Sequence, residues 1–506
     1  MKQYAVAMSG IEKYFGPVHA VSNASFNLIS GEIHSLIGEN GAGKSTMMKL
    51  LYGMYPIDDG SISIDGETMG PLTPKIAIEH GIGMVHQEFM LVNELTVMEN
   101  IILGFEPRKG PLIDFVKARE KIREYIEKYN MDVQINKRIN QISVGESQRV
   151  EIIKILSRGA NTIILDEPTG VLTPQEARKL FEILRNLKAA GKSIIFISHK
   201  LNEVMDISDR ITVMRHSNVI ETVNKQDTNA RELSKMMVGR EVFLNIKRTQ
   251  AKIGDPVLTV DNLWTSGEKE LSKIRGISFN VRAGEIVGVA GVDGNGQSEM
   301  VEAITGLREV ERGAITLAGV NITNRSTRFI RKAGLTHIPE DRNTRGLNRM
   351  ASVADNLVVN RIYNKPFSKF GFIIDRKAIN SYSEELIQKY DVRPPKAEML
   401  TTHFSGGNAQ KVVVAREVAE STKLLIASQP SRGIDVGAIE SIRTILQEVK
   451  SRGIGVLLVS VELEEVLSLS DRIVVLSEGN IVGILPVEEA NEENLGMMML
   501  SGGGAS

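Results

Sequence analysis

Short apolar runs rich in β-branched residues recur along the chain, at 33–37, 161–165, 193–198 and 455–459. Each is too brief for a helix and reads as a buried strand. Segments with helical spacing lie between them, and one of these, 174–190, leads directly into the run at 193–198. Strands that alternate with helices predict an α/β fold built on a mostly parallel sheet.

The same pattern occurs twice. Ser25-Phe26 through Gly31-Glu32-Ile33 returns as Ser278-Phe279 through Gly284-Glu285-Ile286, and Gly38 returns as Gly291, all at an offset of 253. Farther on, Ser143 returns as Ser405 and Asp209-Arg210-Ile211 as Asp471-Arg472-Ile473, at an offset of 262. The second copy has therefore gained 9 residues, expected between about 100 and 143. A register held this long is the mark of duplication. Residues 241–256 are polar, lose the apolar period and end in a Gly-Asp-Pro turn signal. The predicted organisation is a domain at 1–245, a linker at 246–256, a second domain at 257–500 and a flexible glycine-rich tail at 501–506. Two domains also suit a chain of 506 residues.

Composition narrows the function classes. With 42% hydrophobic and 24% charged residues the chain has the balance of a globular protein. A net charge of −1 gives no electrostatic reason to expect nucleic acid. No apolar run reaches the roughly 18 residues that a membrane-crossing helix needs, so any membrane role is expected to pass through a partner. The start, MKQYAVAMSG, lacks the pattern of a signal peptide. Cysteine is absent, which excludes disulfides, thiolate catalysis and cysteine-ligated zinc and fits a reducing cytoplasm.

The candidate chemistry lies first in Gly38-Glu39-Asn40-Gly41-Ala42-Gly43-Lys44-Ser45-Thr46, between the run at 33–37 and the helical MMKLLYGM. In strand–loop–helix context this is a phosphate loop. Its backbone N–H groups and helix N-terminus cradle phosphates, Lys44 reaches the outer ones, and the Ser45 hydroxyl is suited to Mg2+. The apolar run before Asp166-Glu167-Pro168 ends in two carboxylates. Asp166 is expected to hold Mg2+ and Glu167 to orient or deprotonate the attacking water, which turns nucleotide binding into hydrolysis of ATP.

These motifs resemble those of the ABC ATPase family, and the resemblance covers nearly the whole chain. It implies two tandem P-loop ATPase domains, each with a mostly parallel sheet core, an antiparallel β part and a helical subdomain. It also implies roles for Gln87 as the Q-loop residue contacting Mg2+ and a membrane partner, and for His199 as the switch histidine on the γ-phosphate. Phe15 stands where the family stacks an aromatic ring on adenine, a core phenylalanine being the competing reading. The family's signature is nearly intact in the second copy, Phe404-Ser405-Gly406-Gly407-Asn408-Ala409-Gln410. The first copy reads Ile142-Ser143-Val144-Gly145-Glu146-Ser147-Gln148. Asp435 of the D-loop is opposed by Thr173 in the first copy. The second copy instead loses the hydrolytic parts: Gln297 stands for Lys44, Ser428 for Asp166, Gln429 for Glu167, Val461 for His199 and Glu340 for Gln87.

Members of this family pair their ATPase units head to tail, each ATP lying between one phosphate loop and the other unit's signature. Intramolecular pairing of the two copies would collect every intact part in one site and every altered part in the other. Tandem chains with HIPEDRNTRGL and SRGIDVGAIE resemble the energising subunits of bacterial importers for ribose, galactose, xylose and nucleosides. Ser428-Gln429-Pro430-Ser431 and Ser460-Val461-Glu462 favour the nucleoside branch. That resemblance implies two transmembrane permease subunits, an extracytoplasmic solute-binding protein acting through them, no nucleic acid, and a peripheral position at the cytoplasmic face of the membrane. The alternative is a soluble tandem ABC ATPase acting on ribosomes or nucleic acid; such proteins usually carry a long charged linker and two intact sites.

Overall fold

The computed structural model describes residues 3–500, apart from 87–88, 171, 173, 241–247, 250, 267–272, 293 and 420–421. Internal packing divides the chain into two units, Met1–Val242 and Phe243–Ser506.

In the first unit a six-stranded sheet runs in the order Asn218–Asn224, Arg210–Arg215, Ile33–Gly38, Ser193–Ile197, Thr162–Asp166, Ile82–Val85. All neighbours are parallel except the outermost hairpin, Arg210–Arg215 with Asn218–Asn224. The central strands Ile33–Gly38, Thr162–Asp166 and Ser193–Ile197 are buried at every position. That is why they read as near-continuous apolar runs rather than alternating ones, His34 and Ser35 being buried on hydrogen bonds with Thr212 and Ser208. A separate antiparallel sheet, ordered Val18–Ile29, Tyr4–Phe15, Asp59–Ile64, Glu67–Thr68, packs its inner face against the phosphate-loop helix Lys44–Leu51. The third part is helical, with Val97–Ile102, Phe115–Tyr129 and Val144–Ser157.

The second unit repeats this plan. Its sheet is ordered Leu335–Ile338, Leu424–Ser428, Gly455–Val459, Ile286–Ala290, Arg472–Ser477, Asn480–Pro486, again parallel up to a closing hairpin. Its antiparallel sheet is ordered Ile274–Arg282, Pro256–Thr265, Arg312–Leu317, Val320–Asn321, and its helices are Val353–Val358, Arg376–Lys389 and Gly406–Val418.

Helix caps give a finer register than sequence identity, and they correct the placement of the nine extra residues. Thr73 and Ser326 cap equivalent helices 253 apart, and the strands Ile82–Val85 and Leu335–Ile338 keep that offset. Thr96 and Ser352, the next pair of caps, are already 256 apart. Three residues therefore enter between residues 85 and 96, earlier than expected, as part of a π-type turn at Arg342–Gly346. The later caps, Asp114 with Asp375 and Ser143 with Ser405, stand 261 and 262 apart and account for the rest.

Candidate active site

The buried strand Ile33–Gly38 delivers the loop 39–43 to the start of the helix Lys44–Leu51. Gly43 has φ of 99°, and a Cβ there would lie 2.5 Å from the Ala20 carbonyl oxygen, so only glycine fits. No side chain caps the helix, which leaves its first N–H groups for an anion. Glu39, Asn40, Gly41, Ser45 and Thr46 keep some exposure along this rim, while Ala42 is buried. The Lys44 ammonium is folded into the loop and donates to the carbonyl oxygens of Gly38 and Glu39 at 2.8 and 3.0 Å. Burial pushes its pKa down, opposed by the nearby Glu167, Asp166 and Glu39 carboxylates.

The two carboxylates stand at the end of the neighbouring strand but differ in partner. The Ser45 hydroxyl donates to Asp166 Oδ1 at 3.0 Å, joining the two groups suited to Mg2+. Burial pushes the Asp166 carboxyl up. Glu167 lies one residue beyond the strand with φ of 49°, a conformation that turns its side chain out of the sheet. Its Oε1 is 3.1 Å from His199 Nδ1, and the hydrogen bond to His199 holds the carboxyl below its usual range despite burial. A carboxylate kept ionised beside a histidine is an arrangement able to orient a water. The structure thus brings together Lys44, Ser45, Asp166, Glu167 and His199 from three adjacent strands. Gln87 and Thr173 lie outside the described residues.

Phe15 is not a core residue. It is 40% exposed at the end of Tyr4–Phe15, edge-on to Tyr55 with ring centroids 5.2 Å apart. The Lys13 ammonium sits 5.5 Å from the Phe15 ring and 2.8 Å from Asp58 Oδ1. Lys13 and Tyr55 thus belong to the same corner, and the i, i+2 spacing of Lys13 and Phe15 on one strand face is the signal that would have found the lysine. Glu203 was also missed. It accepts from Thr169 Oγ1 at 2.6 Å and Ser198 Oγ at 3.3 Å, pinning the turn after Glu167 to the turn before His199. Gln148, in the altered signature helix, donates to the Pro168 carbonyl oxygen at 2.9 Å.

The second unit keeps the scaffold and changes the groups. Gln429 has φ of 47°, and its Oε1 accepts from the Val461 backbone N–H at 3.3 Å where Glu167 meets an imidazole. Gln297 donates to the Val292 carbonyl oxygen at 3.0 Å, copying Lys44 without its charge. Ser298 meets Glu340 at 3.4 Å, and Glu340 pairs with Arg432. No carboxylate stands at 428 or 429 to serve as a base there.

The signature segments differ in the same unit-by-unit way. Ser405 caps Gly406–Val418 by accepting from the Asn408 N–H at 3.4 Å. A Cβ on Gly407 would lie 2.6 Å from Asp435 Oδ2, so the absence of a side chain lets the D-loop aspartate pack against the helix start. Asp435 also caps the helix Val436–Ser451. In the first unit Ser143 caps the matching helix in a box with Glu146, and Val144 is 43% exposed where Gly406 stands in the second.

The sequence pattern of the family described as ABC transporter matches residues 21–170 and again 274–432. The chain belongs to the ABC transporter family. It is an ATP-binding protein and an ATPase of the ABC type. It is 45% identical over 98% of both chains to the nucleoside import ATP-binding protein NupA of Lactococcus lactis. It is 44% identical to the guanosine import ATP-binding protein NupO of Bacillus subtilis, over 98% of this chain and 97% of that one. With the ribose import ATP-binding protein RbsA of Bacillus subtilis it shares 39% identity over 98% and 99%. Among solved structures, the archaeal ribosome recycling factor aABCE1, in complex with ribosomal stalk protein aP1, matches 97% of this ABC ATPase and 92% of its own chain. Its TM-score is 0.64 at 17% identity, a likeness of fold alone. Among the described residues, no helix of the ABC ATPase is long and apolar enough to cross a membrane.

Proposed function

We propose that the chain energises an importer of nucleosides or monosaccharides, with ATP hydrolysed at one site only. The observation that carries the single site is the contrast between two matching turns: Glu167 with His199 3.1 Å away in the first unit, Gln429 with a backbone N–H in the second. In this reading Glu167 orients and deprotonates water, His199 holds that carboxylate and meets the γ-phosphate, and Lys44 and the loop 38–46 bind the phosphates. Phe15 receives adenine, and Gln87 links the site to the membrane partner. Ser45 and Asp166 present adjoining oxygen donors 3.0 Å apart, a hard ligand pair that fits Mg2+ together with Gln87. The ion, when bound, neutralises phosphate charge.

The site is completed by Ser405, Gly406, Gly407, Asn408 and Asp435 of the second unit, through intramolecular head-to-tail pairing. What supports this is the distribution of intact residues, since the second unit keeps the signature and D-loop groups that the first has lost. The names of the relatives support import, and the higher identity to the nucleoside and guanosine proteins favours nucleosides. The proposal places the chain at the cytoplasmic face with two transmembrane permease subunits and a solute-binding protein acting through them. Detergent extraction with a tagged chain should co-purify the permeases, and uptake of labelled guanosine should fail in a knockout. Co-purification of ribosomes or nucleic acid without permeases would reverse the reading in favour of a soluble ATPase.

A further inference from the structure

The turn that holds the three early extra residues of the second unit is fastened to that unit's signature and D-loop by one side chain. Asp341 caps the turn, accepting from the N–H groups of Asn343 and Thr344 at 2.8 and 3.2 Å. Arg345 ties it to the phosphate-loop helix through Glu302 at 2.6 Å. So held, Arg342 donates from Nη1 to the Arg432 carbonyl oxygen at 2.7 Å and from Nη2 to the Gly433 carbonyl oxygen at 3.0 Å. These carbonyls belong to the turn that leads into Asp435. The same guanidinium lies beneath the signature, for a Cβ on Gly406 would stand 2.8 Å from Nη2 and 3.0 Å from the Gly433 oxygen. The first unit has three fewer residues here and carries Val144 in place of Gly406, a side chain where the second unit admits the guanidinium.

We propose that Arg342 is a positioning residue for hydrolysis, a fork that fixes the signature start and the D-loop relative to each other. A planar guanidinium holds the two carbonyls in one fixed geometry through separate nitrogens, whereas a lysine would meet them from a single point on a flexible stem. Gly406 is glycine on this account to let the guanidinium pass, in addition to any approach of phosphate. The inference rests on the proposed completion of the first unit's site by the second unit's signature. Arg342 is not among the residues placed on ATP, so its loss acts on the step that needs both segments in register.

The test compares Arg342→Met, Arg342→Lys and, as a control on the pairing itself, Ser405→Arg in the full chain. Each is read by kcat and KM for ATP, by binding of a fluorescent ATP analogue to the same variant carrying Glu167→Gln, and by melting temperature. Arg342→Met should lower kcat at least about tenfold, within the loss of about 100-fold that a misplacement of ~1 Å can cause. Analogue affinity should stay within about twofold, and Arg342→Lys should be intermediate in kcat. Unchanged kcat in Arg342→Met beside a dead Ser405→Arg overturns the role of Arg342 and spares the pairing. Unchanged hydrolysis in Ser405→Arg overturns both. If the Met variant does not fold, Arg342→Lys decides: a several-fold fall in kcat with unaltered analogue affinity supports the proposal, and wild-type kcat overturns it.

Discussion

Glu203 and Glu465 occupy matching places after the switch position, and their surroundings show what the second unit has given up. Glu203 has Lys200 as a neighbour at 3.4 Å, whereas the residue matching Lys200 beside Glu465 is Glu462. Burial, and next the Glu462 charge, push Glu465 up to about 7. A carboxyl raised in the fold binds protons more tightly there than in the unfolded chain. Its contribution is therefore full below its unfolded value of 4.5 and is lost as pH rises through about 7. Glu465→Gln should be more stable than the parent at pH 8, with the gain vanishing near pH 4.5 in denaturant melts; equal stability at pH 8 would contradict this. In the first unit the hydrogen bond from His199 is the largest influence holding Glu167 down. His199→Ala should therefore move the acid limb of the kcat profile to higher pH and cost about 100-fold in turnover at neutral pH. The placement of Lys44, Asp166, Glu167 and His199 at the ends of adjacent strands was legible because the buried strands before them show in the residue pattern. Glu203 was not, since its tie to Thr169 joins turns 34 residues apart in the chain, and Lys13 left only its i, i+2 spacing to Phe15 as a trace.

Helix starts carry the register of the whole repeat. Thr96 closes a capping box with Glu99, its hydroxyl accepting from the Glu99 N–H at 3.2 Å while the Glu99 carboxylate takes the Thr96 N–H at 2.8 Å. Thr96→Ala should cost about 1 kcal/mol, visible as a melting shift of about 2–4 °C for a unit of this size, with kcat unchanged. A kcat that fell with it would show that the cap also serves the site. Strands were the most legible elements, the run at 33–37 appearing as Ile33–Gly38 and that at 193–198 as Ser193–Ile197. Burial on both faces imprints itself directly on residue type. The extra turn at Arg342–Gly346 was invisible because a loop has no apolar period, and the strand before it keeps the offset of 253. Only the cap spacing, Thr96 against Ser352, betrays it.

At the scale of the molecule, duplication has yielded two scaffolds of one topology with unequal chemistry. Restoring a single group does not reverse this. Gln297→Lys in a chain that carries Glu167→Gln should leave hydrolysis absent, because Ser428, Gln429 and Val461 still supply neither carboxylate nor imidazole. The two-unit plan was legible from the repeat and the buried strands alone, whereas the use of each unit rests on a handful of positions that hydrophobic pattern does not record. The central claim is that hydrolysis belongs to Glu167 alone, and steady-state ATP turnover of Glu167→Gln beside Gln429→Ala tests it most directly. Glu167→Gln should lose about 100-fold or more while still binding ATP, and Gln429→Ala should stay within about twofold of the parent. Substantial turnover in the first, or an equal loss in the second, would contradict a single hydrolytic site.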